Sequence, residues 1–106
     1  MYVYTVRCKF TSEDRIEVSN RWLDWLRDGH IQDVVDGGAI GADIVRMTTD
    51  ENELVFEIRY RFPDRPTFEA YEAEHAPRLR TEGLEKFPLN LGLAYERSTG
   101  EIIAHM

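Results

Sequence analysis

The sequence predicts an α+β fold with the element order β-α-β-β-α-β, a four-stranded antiparallel sheet carrying two helices on one face. Three observations predict it. Residues 2–10 and 54–62 alternate apolar and polar side chains with period two, as a strand with one buried face must. Residues 16–35 and the stretch after Pro66 instead repeat their apolar residues at steps of three and four, the helical period. The segments run strand, helix, hairpin, helix, strand, and right-handed crossovers then bring both helices to the same side of the sheet.

Each element has its own signal. In the first strand Tyr2, Tyr4, Val6, Cys8 and Phe10 share one face, with Val3, Thr5, Arg7 and Lys9 on the other. Residues 11–14 read as a turn supplying helix-capping side chains. In the first helix Trp22, Leu23, Leu26 and His30 form the inward stripe, with Val18 and Trp25 beside it. Gly29 weakens the helix, a short second helix is expected over 31–36, and Gly37-Gly38 ends it. Residues 40–49 form a weaker strand, interrupted by Gly41 and Asp43. A polar turn over 50–53 then leads to the strongest strand, Leu54 to Phe62. Asp64 or Thr67 caps the next helix, whose stripe is Phe68, Tyr71, His75 and Leu79. Pro77 forces a kink or restart near 74–76. Leu91, Leu93 and Tyr95 mark the last strand, and Ser98-Thr99-Gly100 reads as a turn into a short tail.

This is the ferredoxin-like plan. Its second sheet face is expected to carry Thr5, Arg7, Ile44, Arg46, Val55, Glu57, Arg59, Arg61, Ala94 and Glu96, a mixture of aliphatic residues and both signs of charge. Such a face either stays wet or packs on a second copy. The aliphatic residues favour the second, a homodimer with Arg7, Arg59, Glu57 and Glu96 paired near a central cavity.

Composition bounds the partners. A chain of 106 residues, 42% apolar and 31% charged, matches a single domain over 1–106 with one core. There are 13 basic and 20 acidic residues, a net charge of −7. That charge argues against a general affinity for nucleic acid or anionic membrane. No apolar run reaches the roughly 20 residues needed to cross a bilayer. The start of the chain lacks the pattern of a secretory signal, and Cys8 stands alone, so a reducing, cytoplasmic setting is expected and Cys8 is read as a buried structural thiol.

The segment Glu74-His75-Ala76-Pro77-Arg78-Leu79-Arg80, continuing through Glu82-Gly83-Leu84-Glu85-Lys86-Phe87, resembles the signature of a family of short bacterial proteins of unknown function. Trp22-Leu23-Asp24-Trp25-Leu26 followed by His30-Ile31, and the Tyr-x-Val start, resemble the same family. The family is similar in plan to the dimeric α/β-barrel superfamily, which includes small cofactor-free monooxygenases. The resemblance implies a fold and a homodimer, and it assigns no catalytic role. Gln32 stands where such barrels commonly have a proline, so a pocket-shaping role for that turn does not carry over.

Residues able to carry chemistry are few. His30 and His75 sit at a helix end and a helix kink. Each is a candidate general base, and each is equally readable as a packing or capping residue. Neither has a second His or Cys at close spacing, so no metal site is expected, and no cofactor motif is present: Gly37 to Gly41 follows a helix, whereas a dinucleotide loop follows a strand. Arg7, Arg46, Arg59 and Arg61 form a candidate anion site, or else a set of salt bridges. They do not suit RNA, since strand three would offer Val55, Glu57, Arg59 and Arg61 where base-stacking sheets present aromatics. Arg78, Arg80 and Lys86 with Glu82 and Glu85 read as a solvated helix face.

Two functions follow as expectations. One is a dimeric barrel binding a small anionic molecule at the sheet-sheet cavity. The other is a cofactor-free monooxygenase- or isomerase-like enzyme with His30 or His75 as base and Trp22 or Tyr71 lining an apolar pocket.

Overall fold

The alternation of residues 2–10 and 54–62 becomes the two central strands of a four-stranded sheet. The structure, a computed structural model, describes residues 1–49 and 52–106. In chain order it contains β1 (Tyr2–Phe10), α1 (Arg15–Trp25), α2 (Ile31–Asp36), β2 (Gly41–Arg46), β3 (Leu54–Phe62), α3 (Arg65–Glu74), α4 (Ala76–Lys86) and β4 (Leu93–Glu101). The strands lie in the order β2-β3-β1-β4, and every neighbouring pair is antiparallel. β1 pairs along its whole length with both β3 and β4 (Tyr2 opposite Phe62 and Glu101, Phe10 opposite Leu54 and Leu93).

Each crossover between strands is a broken helix, as the sequence predicts. Between α1 and α2 the chain makes one wide turn, Leu26 to His30, closed by the Ile31 N–H donating to the Leu26 carbonyl. Gly29 leaves the helical conformation there. Gly38 then adopts φ +131, which a residue without Cβ does at little cost. In the second crossover the Asp64 carboxylate accepts from the Thr67 N–H at 2.9 Å and from Thr67 Oγ1 at 2.6 Å. That caps α3, which has Pro66 in its first turn. The helix breaks at His75, and α4 restarts with Pro77 in its first turn, where the missing N–H costs no helical bond.

Both crossovers bury their apolar stripes on the same sheet face. Val18, Trp22 and Leu26 from the first, and Phe68, Tyr71 and Leu79 from the second, pack on Tyr2, Tyr4, Cys8, Phe10, Phe56, Ile58, Tyr60 and Phe62. Much of this core is aromatic and meets at angles that suit ring quadrupoles, such as Phe10 on Trp22 at 5.2 Å and 69°. Cys8 is fully buried, and burial pushes its thiol pKa up to about 12. It is a packing residue with no thiolate character, as expected.

Two expectations are corrected. Ile44 and Arg46 were expected on the uncovered face. Instead Ile44 lies opposite Ile58 and Arg46 opposite Phe56, which puts both on the helix side and leaves Gly41, Asp43 and Val45 on the uncovered side. Alternation could not decide this, because Ile44 and Val45 are both aliphatic and point opposite ways. Register decides it: Gly41 sits across from Arg61, where a Cβ would come within 2.5 Å of the guanidinium. The second correction concerns Ser98-Thr99-Gly100. These residues form no turn but lie within β4, because β1 offers backbone partners out to Tyr2 and pairing them overrides weak local turn preference. The strand expected over 40–49 is regular only from Gly41 to Arg46. The turn expected over 50–53 lies partly outside the described residues.

On the uncovered face charges pair within the sheet itself. Glu57 accepts from Arg7 at 2.8 Å and from Arg59 at 2.9 Å, and Arg61 meets Asp43 at 2.8 Å. The two guanidinium groups, Arg59 foremost, hold the Glu57 carboxyl below its usual pKa. Among the described residues no helix is long and apolar enough to cross a membrane.

Candidate functional site

The breaks in the two crossovers leave the helices imperfectly seated on the sheet, and a cavity of about 330 Å³ opens between them. Its floor is the helix-side face of the sheet: Tyr4 and Val6 from β1, Ile58 and Tyr60 from β3, Tyr95 and Arg97 from β4. Trp22, Trp25, Leu26 and His30 wall it on one side. Tyr71, Leu79, Arg80 and Gly83 wall it on the other, and the exposed Leu84 and Leu89 stand at its rim. This volume lies at the lower end of the range for small-molecule pockets.

Local chemistry positions each polar group. The wide turn after α1 rotates His30 inward, where its ring stacks on Trp25 at a centroid distance of 4.1 Å and 25° between planes. Burial lowers its pKa to about 4, against the smaller opposing pull of Asp33 and Glu82. The imidazole is therefore neutral at pH 7, and its buried Nδ1 has no hydrogen-bond partner within the protein. Trp22 Nε1 donates to Tyr95 Oη at 3.0 Å, fixing both rings. Arg97 lies over the Tyr95 ring at 5.2 Å. Across the cavity Arg80 Nη2 donates to Tyr4 Oη at 3.2 Å and sits 3.6 Å from Glu72, while its buried Nε lacks a partner.

Electrostatically the site is one-sided. Two arginines and one histidine line it, and among the described residues no Asp or Glu does, although the chain as a whole carries −7. Burial raises the pKa of Tyr71 to about 12 and raises those of Tyr60 and Tyr95 as well, so these phenols keep their protons at neutral pH. The arrangement offers donors and positive charge around an apolar, ring-walled space. It can hold an organic anion, and His30 can accept a hydrogen bond or a proton there.

The residues singled out in the sequence divide across the sheet. Trp22, Tyr71 and His30 meet in the cavity. His75 does not line it: its ring stacks on Tyr71 at 6.3 Å and lies against Gly37, where a Cβ would come within 3.2 Å of the imidazole. Arg7, Arg59 and Arg61 lie on the opposite, uncovered face, already bonded to Glu57 and Asp43. Arg46 is exposed on the helix side, outside this cavity. Among the described residues no group of three or more His, Cys, Asp or Glu could hold a metal ion.

Sequence reasoning missed Arg80 and Arg97. Arg80 read as part of a solvated face, and only the Arg78–Glu82 pair at 3.0 Å behaves that way. Its proximity to Leu79 on the inward stripe was the available signal. Arg97 was hidden by the expected turn; extending β4 to Glu101 places it opposite Val6, on the helix-side face.

Solved structures share this architecture at low identity. A dimeric ferredoxin-like protein from an uncultured marine organism superposes with a TM-score of 0.72 at 14% identity, covering 100% of this chain and 98% of that one. An ethyl tert-butyl ether degradation (EthD) family protein from Bacillus halodurans gives 0.66 at 12%, covering 97% and 100%. A candidate antibiotic biosynthesis monooxygenase from Deinococcus radiodurans gives 0.64 at 12%, covering 100% and 99%. These likenesses establish the ferredoxin-like fold. No curated protein matches the chain. Residues 1–96 match the model of the Domain of unknown function (DUF4286), and the chain belongs to that family.

Proposed function

We propose that this protein binds a small organic anion in the cavity between sheet and helices. The observation that carries the reading is the lining: two arginines, a neutral histidine and protonated tyrosines, with no carboxylate among the described residues, in a chain of net charge −7. Buried polar atoms are seldom left without partners, and among the described residues His30 Nδ1 and Arg80 Nε, on two side chains that line the cavity, are buried without one. The arginines of the uncovered face are less suited, since each already bonds a carboxylate, Arg7 and Arg59 sharing Glu57 and Arg61 taking Asp43.

Both tryptophans of the chain line the cavity, so intrinsic fluorescence reports its occupancy. A panel of small carboxylates and phosphates, set against amines of matching size, tests the reading. Some anions shift the emission saturably and raise the melting temperature, by about 2.7 kcal/mol of stabilisation at a hundredfold excess over Kd. The reading fails if no anion has an effect, or if the amines act equally well.

A second reading is favoured by His30. A neutral imidazole beside two guanidinium groups can take an acidic O–H or C–H proton, leaving an anion that Arg80, Arg97 and the tyrosine hydroxyls stabilise. That is the first step of a cofactor-free isomerase or monooxygenase, and the similar structures include one described as an antibiotic biosynthesis monooxygenase. His30 suits the role better than His75, which stands outside the cavity lining. Solvent deuterium should then enter a bound carbon acid, and oxygen uptake should follow for an oxygenase. Both signals should vanish in His30→Phe.

The working unit in this reading is a cytoplasmic homodimer of one-domain subunits, packed through the uncovered sheet face. Half-buried Val3, Thr5 and Val45 on that face support it, as do the similar structures described as dimeric.

A further inference from the structure

The cavity restricts its ligand further than by charge. Its polar groups fall into two kinds. Arg80 and Arg97 supply positive charge, and among the described residues Arg97 makes no ion pair. His30 supplies a neutral imidazole, whose buried Nδ1 makes no hydrogen bond among the described residues. The remaining surface is dominated by flat rings, two tryptophans and four tyrosines, with short aliphatic contributions from Val6, Leu26, Ile58 and Leu79.

Ring walls discriminate by shape. A flat aromatic guest meets such walls in offset-stacked or edge-to-face contact, a gain beyond area burial that a flexible chain does not obtain. A flexible chain also loses rotamer freedom on confinement. The cavity already holds one planar group this way, the His30 imidazole against Trp25 at 4.1 Å. Its volume of about 330 Å³ suits one or two fused rings and is small for a three- or four-ring polycycle.

We infer that the ligand is a planar aromatic carboxylate of one or two fused rings, with a hydroxyl remote from its carboxylate. The carboxylate lies at Arg80 and Arg97, the rings lie among the tryptophans and tyrosines, and the hydroxyl meets the His30 imidazole at the cavity wall. This inference rests on the anion-binding reading above. Guanidinium suits a carboxylate because its N–H fork matches two oxygens at once. A neutral imidazole can pair with a hydroxyl as donor or acceptor.

Calorimetric titration of the full chain with four probes separates the parts. 6-Hydroxy-2-naphthoate carries all three features; 2-naphthoate lacks the hydroxyl, 2-naphthol lacks the carboxylate, and octanoate lacks the rings. The first binds, and each of the others binds about tenfold or more weakly. His30→Phe keeps an aromatic ring on Trp25 and removes the preference for 6-hydroxy-2-naphthoate over 2-naphthoate. Arg97→Gln, at an exposed position, removes the preference over 2-naphthol, with circular dichroism as the control for both variants. Equal or tighter binding of octanoate overturns the aromatic class and leaves the anion reading standing. Equal binding of 2-naphthol to the wild type overturns the carboxylate assignment, and survival of the hydroxyl preference in His30→Phe overturns the role of His30. If no probe and no other anion binds, both readings fall.

Discussion

The buried imidazole of His30 should make this protein lose stability as the pH falls below neutrality, before any carboxylate is involved. Folded, the group titrates at about 4, against an ordinary value of 6.5. A depressed histidine is neutral in both states above pH 6.5, so it contributes no pH dependence there. Below 6.5 the unfolded chain takes up a proton that the folded chain refuses, and the unfolded state gains. Between pH 7.5 and pH 5 this amounts to roughly 2 kcal/mol, approaching about 3 kcal/mol near pH 4. Glu57 behaves with the opposite sign and in another window. Its pKa is depressed below 4.5, so its contribution is complete above that value and is lost only at lower pH. The range from 7.5 to 5 therefore isolates the histidine. Urea unfolding followed by circular dichroism at the two pH values measures the slope in wild type and in His30→Phe, which preserves a ring against Trp25. The wild type should lose roughly 2 kcal/mol and the variant much less. Equal losses in the two proteins would show that His30 is solvated in the folded state, and the account of a desolvated cavity nitrogen would go with it.

Other consequences are independent of that one. Tyr95→Phe removes the acceptor of Trp22 Nε1, 3.0 Å away on a side chain only 1% exposed. The orphaned donor should cost about 1–3 kcal/mol in urea unfolding, and an unchanged midpoint would mean the indole finds another partner. Gly92 holds φ +90 with its missing Cβ 2.8 Å from Ser12 Cβ and 3.0 Å from Ser12 N. Gly92→Ala should therefore destabilise by about 1–3 kcal/mol, and a neutral result in thermal unfolding would contradict the left-handed, tightly packed backbone at this position. Val3→Asp places a charge on the uncovered face near one end of the central strand, between Arg61 and Gly100. Light scattering should find the wild type as a dimer and the variant as a monomer. A monomeric wild type, or a dimeric variant, counts against association through that face.

How much of this was legible in the sequence depended on how strongly each stretch committed itself. Residues 54–62 alternate at every position but Val55, and the strand starts and stops where the pattern does. Gly29 and Pro77 break the helices where such residues must, because one lacks a helix-favouring side chain and the other an N–H. β2 is different: with Ile44 and Val45 adjacent, its local pattern is consistent with either register, and the partner strand chooses. Arg80 and Arg97 were illegible for a related reason. Arginine is ordinary on a surface, and what makes these two notable is that packing of distant segments closes one space around both. Trp22, Tyr71 and His30 were legible because large or titratable residues on an inward stripe are conspicuous wherever the helix docks.

The same features that weaken the crossovers make the site. An uninterrupted helix from Arg15 to Asp36 would carry its inward stripe straight along the sheet, and His30 would be one more position on that stripe. The wide turn at Leu26 to His30 instead lets α2 change direction, so that Ala39 and Val34 pack at one end of the core while His30 faces the opening between sheet and helices. On the other side the break at His75 lets α4 follow its own line, and Gly83 gives way to the Trp25 indole, which a Cβ would approach to 3.2 Å. A Val or Leu at position 83 would push that indole into the cavity. Each of these choices sacrifices stability. Gly costs helix propensity of about 1 kcal/mol relative to Ala, and two buried nitrogens go without partners in the protein. A chain selected for stability alone would close this space with aliphatic side chains. Keeping it open, lined with donors and free of carboxylates, is intelligible if something anionic enters it.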